Sequence, residues 1–325
     1  MDWAEVIRQG RFVVVGRAGM DLYADPPGTR TEAATQFSAA LGGSSANIAV
    51  ALARLGVQSA LVTTVSDDAV GRFCLNELAR YGVDTTHVLT KAGEARTSLA
   101  VVETRAVDTQ SVIYRNNAAD FGLTDADVAL DLTGVGALIL TGTALAVDPS
   151  RGACFAIMAN ARAAGIPVVL DIDYRPYSWG SRAEAAQIYG KVAAMADIII
   201  GNDDEFGVLA GQYAAGLPLA RQLGERATGF VVYKMGAKGA ITISPDAAFE
   251  TPIFPVAALK PTGAGDAFMG GLMAGLARGL PLPDAVTQGA AAAAIVVTRV
   301  GCAPAMPTQA ELTDFRKAHH AHSAL

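Results

Sequence analysis

Residues 260–268, Lys-Pro-Thr-Gly-Ala-Gly-Asp-Ala-Phe, lead into an apolar segment that continues over residues 269–278. Gly263 and Gly265 permit a tight backbone turn, and the apolar pattern that follows predicts a helix. The first amides of a helix have no partners inside it and lie at the positive end of its dipole. The stretch therefore predicts an anion site suited to phosphate, with Asp266 beside the anion in the first turn. An ordinary acidic residue at the start of a buried helix explains the same spacing, so spacing alone leaves both interpretations open.

Short apolar runs rich in β-branched residues alternate with helical patterns along the rest of the chain. The predicted strands are 12–15, 60–65, 137–140, 167–170, 198–200 and 230–233, and the predicted helices between them are 45–55, 67–81, 150–164 and 182–195. Gly56, Gly82 and Gly165 follow three of these helices as natural C-terminal stops. The alternation predicts an α/β fold with a mainly parallel central sheet and helices on both faces. Ligands of such sheets bind outside the C-terminal ends of the strands.

Two stretches depart from this alternation, at about residues 20–41 and 97–116. Both show short polar–apolar alternation, which predicts exposed antiparallel strands inserted between strand–helix units. Together they would form a small β lid over one edge of the main sheet. No linker rich in Pro, Gly or Ser divides the chain, so we expect a single domain over residues 1–325. An unfilled apolar face on the lid would favour a homodimer through it.

Composition excludes several classes of function. The chain has 25 Lys and Arg against 31 Asp and Glu, a net charge of −6 with no basic run, which argues against nucleic-acid or membrane partners. The three cysteines form no CxxC pair, and no stretch resembles an export signal or a membrane span, so we expect a cytoplasmic protein. His319, His320 and His322 crowd the C-terminal end and His87 lies in a predicted loop. The acid or base of an enzyme with this composition would be a carboxylate.

Other phosphate and nucleophile motifs are absent or incomplete. The chain has no GxxxxGK[ST] sequence, so it is not a P-loop protein. Residues 16–21, Gly-Arg-Ala-Gly-Met-Asp, do not match the dinucleotide fingerprint GxGxxG. Residues 42–46, Gly-Gly-Ser-Ser-Ala, lack the closing glycine of a hydrolase nucleophile elbow.

The Gly-Ala-Gly-Asp stretch at 263–266, together with Gly-Gly-Ser-Ser-Ala-Asn at 42–47, resembles the signatures of the PfkB/ribokinase family of sugar kinases. Weaker matches are Asp21 after the first predicted strand, residues 202–205 after the fifth and residues 235–239 after the sixth. The similarity extends from Val13 to about Pro307. The resemblance implies a ribokinase-like fold and ATP-dependent, Mg²⁺-assisted phosphorylation of a sugar hydroxyl.

The resemblance also implies roles for individual residues. Asp266 would be the general base that accepts the proton of the sugar hydroxyl, and the amides of Gly263, Ala264, Gly265 and Asp266 would stabilise the transferred phosphoryl group. The remaining assignments are Asp21, Gly43 and Asn47 to the sugar, Asn202, Lys234, Gly236 and Lys238 to the nucleotide, and Glu205 to Mg²⁺ through water. Structural alternatives are a solvent-facing Asn47, a helix cap formed by Asn202 with Glu205, and an ordinary hairpin at 236–239.

Lys260 departs from the family pattern, in which an Asp six residues before the base helps to bind a monovalent cation. An ammonium carries the same charge as that ion. We therefore expect activity that does not depend on K⁺.

Three arginines, Arg17, Arg115 and Arg175, lie in loops or strand ends expected at the ligand-binding edge. Arginine can bind a carboxylate through two parallel hydrogen bonds, which a neutral sugar does not require. Each arginine alone is compatible with a structural or nucleotide-directed role, but three together favour an acidic sugar.

Residues 16–23 and 173–179, with Lys260, resemble one branch of the family. Its members phosphorylate the terminal hydroxyl of a keto-deoxy sugar acid, 5-dehydro-2-deoxy-D-gluconate, in myo-inositol catabolism. Kinases of 2-keto-3-deoxygluconate are the first alternative, followed by ribokinases and fructokinases. A nucleotide- or sugar-binding protein that no longer catalyses is a different class, against which the intact Asp266 argues.

Overall fold

The computed structural model describes residues 3–319, so the expectations for His320 and His322 and for the two ends of the chain lie outside the described residues. The strands are β1 Arg11–Val15, β2 Gly19–Asp25, β3 Gln36–Gly42, β4 Ser59–Ser66, β5 Val88–Lys91, β6 Ser98–Val102, β7 Ser111–Tyr114, β8 Val135–Thr141, β9 Val168–Asp171, β10 Ile198–Asn202, β11 Phe230–Lys234, β12 Ala240–Ile243 and β13 Ala248–Thr251. The helices are α1 Trp3–Gln9, α2 Ser44–Arg54, α3 Ala69–Arg80, α4 Ser150–Ala163, α5 Arg182–Ala193, α6 Asp203–Leu209, α7 Gly216–Arg226, α8 Ala264–Ala277, α9 Leu282–Val297 and α10 Gln309–Ala318.

The main sheet has nine strands in the order β13-β12-β11-β10-β9-β8-β1-β4-β5. All of its neighbouring pairs from β11 to β5 are parallel, whereas β12 and β13 are added antiparallel at one edge. Side chains of β1 alternate between two cores, with Val14 packed among α2, α8 and α9, and Val13 and Val15 among α4, α5 and α6. The predicted parallel sheet with helices on both faces is therefore confirmed.

The predicted strands and helices of this framework each overlap an observed element, with ends that agree to within two residues. The agreement has a physical basis, since strands buried on both faces read as continuous apolar runs. Side-chain caps fix the N-terminal ends of two helices. The Asp68 carboxylate accepts hydrogen bonds from two amides at the start of α3, and the Ser181 hydroxyl accepts one from an amide at the start of α5. Among the described residues, no helix has the length and apolar character needed to cross a membrane.

The two stretches that depart from the alternation form a second sheet, in the order β3-β2-β6-β7. The hairpins β2–β3 and β6–β7 are antiparallel as predicted, but β2 and β6 pair in parallel, so the expectation of a wholly antiparallel lid is wrong at its centre. β2 follows β1 and β6 follows β5, and β1 and β5 point the same way in the main sheet. The strands that succeed them therefore leave that sheet in the same direction.

The lid is also less exposed than predicted. Its inner face has a small core of its own, made by Tyr23, Ala40, Ala100 and Val102. On its outer face, large apolar side chains are exposed to solvent, among them Phe37, Val112 and Tyr114.

Candidate active site

Parallel strands bring their C-terminal ends to one edge of the main sheet, and the predicted site residues gather there. Asp171 ends β9, Asn202 ends β10 and Lys234 ends β11, while the lid strand β2 carries Asp21. The N-terminus of α8 supplies Asp266.

The turn before α8 requires glycine at position 263. Gly263 has φ +84° and ψ −5°, a left-handed conformation, and a Cβ there would lie 3.0 Å from Sγ of Cys302. The Ala264 amide makes only a long bond of 3.4 Å to the Pro261 carbonyl, and the first bond of normal length is from the Ala267 amide to the Gly263 carbonyl, at 3.0 Å. The helix thus begins with amides directed along its axis away from the helix body, as the sequence predicted.

Asp266 is held by Asn47, which lies 219 positions away along the chain. Nδ2 of Asn47 donates to Oδ2 of Asp266 at 2.8 Å, and Oδ1 of Asn47 is buried without a partner among the described residues. Asn47 is 3% exposed, so the alternative of a solvent-facing side chain is wrong. Gly43 makes this placement possible, since it starts α2 at φ +97° and any Cβ there would lie 2.5 Å from the Arg17 carbonyl.

The environment of Asp266 favours its protonated form. Burial is the main cause that raises the pKa of its carboxyl to about 7, and the nearby Asp173 carboxylate raises it further. The hydrogen bond from Asn47 and the charges of Arg175 and Lys234 act in the opposite direction. A carboxyl that titrates near neutrality can accept a proton and release it again at physiological pH.

Asp21 packs against the start of α2. A Cβ on Gly42 would lie 2.1 Å from Oδ1 of Asp21, so the glycine leaves room for the carboxyl. The Tyr23 hydroxyl donates to Oδ2 of Asp21 at 3.0 Å and also lies 3.2 Å from Sγ of Cys302. Burial raises the pKa of Asp21, against the lowering effect of Arg17.

Asn202 and Glu205 form a reciprocal cap at the start of α6. The Glu205 amide donates to Oδ1 of Asn202 at 2.9 Å, and the Asn202 amide donates to Oε2 of Glu205 at 2.7 Å. The helix-cap interpretation of this pair is therefore confirmed. Glu205 is nevertheless buried beside other carboxyls, and burial raises its pKa.

Two carboxylates that the sequence analysis did not select, Asp171 and Asp173, lie in the same region. Burial raises the pKa of Asp171 to about 8, and Glu205, Asp173 and Asp266 add to this effect while Lys234 opposes it. A signal for both was present, because Asp171 directly follows a predicted strand at the ligand-binding edge and Asp173 comes two residues later. Within residues 3–319 no three His, Cys, Asp or Glu side chains are grouped so as to hold a metal ion directly.

Lys234 lies between these carboxylates and the turn before α8. Its Nζ is 5.9 Å from the centre of the Phe268 ring and would lie 3.4 Å from a Cβ on Gly265. Gly236 and Lys238 are exposed in the turn between β11 and β12, which the Met235 amide closes with a 2.8 Å bond to the Gly239 carbonyl. The hairpin interpretation describes this turn correctly.

The three arginines all act electrostatically on Tyr177. The charges of Arg17, Arg175 and Arg115 all lower the pKa of the Tyr177 phenol, although burial outweighs them and raises it overall. All three arginines therefore lie within electrostatic range of the same phenol.

Their partners differ. Arg17 is buried and donates to the Ser98 hydroxyl at 3.1 Å. Arg115 is buried too, with protein partners in the Asp120 carboxylate, the Thr143 carbonyl at 3.1 Å and the Phe121 ring. These partners occupy most of its guanidinium, which weakens the prediction of a direct substrate contact.

Arg175 is the most accessible of the three. Its Nη2 lies 2.7 Å from Oδ1 of Asp173, and 44% of its side chain is exposed. Asp173 takes a left-handed φ of +37°, which Asp tolerates better than most residues, and accepts from the Thr143 hydroxyl at 3.3 Å. Asp173 thus holds Arg175 at the site while leaving part of its guanidinium free.

Comparison with known proteins agrees with this geometry. Residues 9–309 match the model of the pfkB family of carbohydrate kinases. A 5-dehydro-2-deoxygluconokinase of Geobacillus kaustophilus is 38% identical over 319 residues, covering 96% of this chain and 95% of that protein. A 5-dehydro-2-deoxygluconokinase of Photobacterium profundum is 39% identical over 309 residues, covering 93% of each chain.

A solved structure shares the architecture. It is a fructokinase double mutant from Vibrio cholerae O395 in a form with bound fructose, ADP and potassium ion. It superposes with a TM-score of 0.84 at 29% identity, covering 95% of this chain and 98% of its own. The ribokinase-like fold predicted from the sequence is thereby confirmed, and this chain belongs to the pfkB family of carbohydrate kinases.

Proposed function

We propose that this protein transfers the γ-phosphoryl group of ATP to the terminal hydroxyl of a keto-deoxy sugar acid, with 5-dehydro-2-deoxy-D-gluconate as the acceptor. The observation that carries the proposal is Asp266, a carboxyl whose pKa is raised to about 7, in the first turn of α8 and hydrogen-bonded to Asn47. The relatives named for this activity, at 38% and 39% identity over nearly their full length, support the choice of acceptor.

Asp266 accepts the proton of the attacking hydroxyl as its oxygen bonds to the γ-phosphorus, while the bond to the ADP oxygen breaks. The hydrogen bond from Asn47 occupies Oδ2 and leaves Oδ1 for the acceptor. The amides of Gly263, Ala264, Gly265 and Asp266 stabilise the negative charge that develops on the phosphoryl oxygens, as donors at a helix N-terminus do.

Asn202, Lys234, Gly236 and Lys238 bind the nucleotide in this proposal, and Lys234 supplies positive charge next to the phosphates. The acidic groups at the strand ends fit Mg²⁺, which prefers oxygen ligands and keeps several waters. Glu205 would hold it through water, with Asp171 nearby, and the ion would neutralise charge on the phosphates.

The acceptor lies between the lid and α2. Asp21 and the buried Oδ1 of Asn47, which has no partner among the described residues, bind sugar hydroxyls next to Gly43. The accessible part of Arg175 binds the carboxylate, with Arg17 close by. Arg115, paired with Asp120, supports this region through its charge and its bond to the Thr143 carbonyl.

We also propose that the chain acts as one kinase domain, in the cytoplasm, and pairs with a second copy through the lid. Cys74, Cys154 and Cys302 are all free thiols, in keeping with a reducing compartment. On the outer face of the lid, Val112 lies opposite Val101 and Val101 next to Leu22, so apolar side chains continue across three strands. Sedimentation at micromolar concentration measures whether a second copy covers this face.

The test of the function is a coupled ADP-release assay with MgATP. The panel contains 5-dehydro-2-deoxygluconate, 2-keto-3-deoxygluconate, ribose and fructose. We expect the highest kcat/KM on the first acceptor. Preference for 2-keto-3-deoxygluconate would retain the carboxylate argument and change the acceptor, whereas preference for a neutral sugar would overturn the role of the arginines.

A further inference from the structure

A cleft lined by three arginines lies at the edge of the main sheet opposite the candidate active site. It is at the N-terminal ends of β1, β4 and β8 and has a volume of about 520 Å³. Pockets of this size bind small molecules in many proteins. Arg8, Arg11 and Arg278 line it together with Gln58 and Thr133, and among the described residues no Asp or Glu joins them in the lining.

Arg278, which follows α8, carries a positive charge without an acidic partner in the described part of the chain. Its Nη2 donates to the carbonyl of Leu55 at the end of α2, and its Nη1 donates to Oε1 of Gln309. Both partners are neutral. Burial is the one cause that shifts its pKa, and it lowers that pKa, whereas a nearby carboxylate would raise it. The guanidinium is thus partly removed from water with no counter-ion beside it.

Arg8 and Arg11 bring two further cations to the cleft with little compensation. Arg8 is exposed, and its Cδ would lie 3.5 Å from a Cβ on Gly279. Within residues 3–319 the Arg8 side chain takes part in no ion pair or hydrogen bond. Arg11 donates to the Asp131 carbonyl at 3.3 Å, and its ion pair with Asp84 is 4.0 Å long. An ion pair of that length between partly exposed side chains is weak, so most of the Arg11 charge is left uncompensated.

A purely structural role explains only part of this arrangement. The C-terminal end of a helix favours a nearby cation, which accounts for Arg8 in the last turn of α1 and for Arg278 after α8. It does not account for the third cation, since Arg11 lies on β1, or for the lack of an acidic residue in the lining. Guanidinium groups bind phosphate oxygens through paired N–H donors and stay charged at any physiological pH.

We propose that the cleft formed by Arg8, Arg11 and Arg278 is a second anion site, which binds the phosphate group of a small ligand, either a sugar phosphate or free phosphate. Gln58 and Thr133 offer polar groups to the same ligand. Because α8 has 14 residues, the cleft lies about 20 Å from Asp266 at the other end of this helix. The site is therefore separate from the nucleotide and acceptor sites of the proposed function and does not depend on them.

The experiment is a calorimetric titration with inorganic phosphate, glucose 6-phosphate and glucose, in the presence of Mg²⁺ and saturating β,γ-imido-ATP to occupy the nucleotide site. We expect both phosphates to bind and uncharged glucose not to bind. Tighter binding of glucose 6-phosphate than of phosphate would identify a sugar phosphate as the ligand, and equal affinities would identify the phosphate group alone. Higher ionic strength should weaken binding, because the attraction is between charges near the surface.

Arg8→Met should weaken the binding of both phosphates about tenfold, since it removes one charge-assisted contact and has no other bond to lose. Arg278→Met should weaken it as well, and thermal unfolding accompanies this titration because the variant also loses the bond to the Leu55 carbonyl. Arg221→Met, which replaces an exposed arginine on α7, is the matched control and should bind as the wild type does.

A wild type that binds neither phosphate at millimolar concentration would overturn the inference, and so would equal affinity in Arg8→Met and the wild type. Arg175→Met, at the candidate active site, should bind both phosphates normally. A loss in Arg175→Met instead of in Arg8→Met would place the anion in the active site and refute the second site. The readout is binding, so a protein that phosphorylates no acceptor would refute the proposed function and leave this test intact.

Discussion

Replacement of Asp266 by Asn tests the centre of the proposed mechanism with little change in shape. The carbonyl oxygen of the new amide can still accept the bond from Nδ2 of Asn47, which is 2.8 Å long in the wild type. The amides of Gly263, Ala264 and Gly265 are unaffected. What the substitution removes is the ability to accept a proton.

The expected loss of kcat is about 10²–10⁴-fold, the range that general-base catalysis contributes. The affinity for MgATP should change little, because the nucleotide side chains proposed here lie on β10, β11 and the turn after β11. Unchanged kcat would refute the assignment of Asp266 as the base.

The free energy of unfolding should rise in Asp266→Asn, whereas its kcat falls. The folded protein raises the pKa of Asp266 from 3.8 to about 7, so the native state binds more protons than the unfolded state between these values. This contribution to stability is complete below pH 3.8 and is lost as the pH rises through about 7. At pH 8 the ionised carboxylate therefore costs at most about 4 kcal/mol. Solvent screening of the partly exposed side chain makes this cost smaller.

The assay combines kcat, MgATP affinity and thermal unfolding at pH 5 and pH 8. Asp266→Asn should be much slower than the wild type yet unfold at a higher temperature at pH 8, with a smaller difference at pH 5. Asp284→Asn, which also changes an acidic residue in the first turn of a helix, is the matched control and should alter neither quantity appreciably. A variant that is both inactive and less stable at pH 8 would show that Asp266 is needed for the fold and would contradict this account.

Three further predictions concern the same site. Because the pKa of Asp266 is raised to about 7 and the base must be ionised, kcat should fall about tenfold for each pH unit below about 6, and a pH-independent kcat between 5 and 8 would contradict the assignment. Gly263→Ala places a Cβ 3.0 Å from Sγ of Cys302 at φ +84° and should lose both kcat and about 1–2 kcal/mol of stability. Gly82→Ala has a similar φ of +79° with open space around it, so it should lose stability alone; equal kcat in the two variants would count against the role of the α8 amides. Arg175→Met should raise KM for the sugar acid with a smaller effect on KM for ATP, and an equal rise in both would indicate a nucleotide contact instead.

Much of the framework could be predicted from the sequence because its determinants are close together in the chain. The strands of the main sheet are buried on both faces and appear as apolar runs, and glycines mark the ends of helices. The turn before α8 could also be predicted, since Gly263, Gly265 and Asp266 are near neighbours. This local sequence alone predicts the positive φ at Gly263, the free amides at the start of α8 and the acidic residue in its first turn.

Other features depended on residues that are distant in the chain. The lid was expected to be antiparallel, yet β2 and β6 are parallel, because the directions of β1 and β5 decide how the strands after them leave the main sheet. Arg115 was expected to face a ligand, and its position beside Asp120 became visible only with the fold. Asp173 belonged to a motif noted in the sequence, but its effect on the pKa of Asp266 depends on burial and on their proximity in the folded chain.

The sequence by itself determined an α/β chain with a phosphate-binding helix start and a carboxylate in its first turn. Only the tertiary structure decided that Asn47 donates to this carboxylate across 219 positions, that its pKa lies near 7, and that Lys260 is fully buried against the Thr262 carbonyl. Backbone conformation responds to neighbours along the chain, whereas a pKa responds to every charge and every excluded water nearby in space. The second kind of information exists only once the chain has folded.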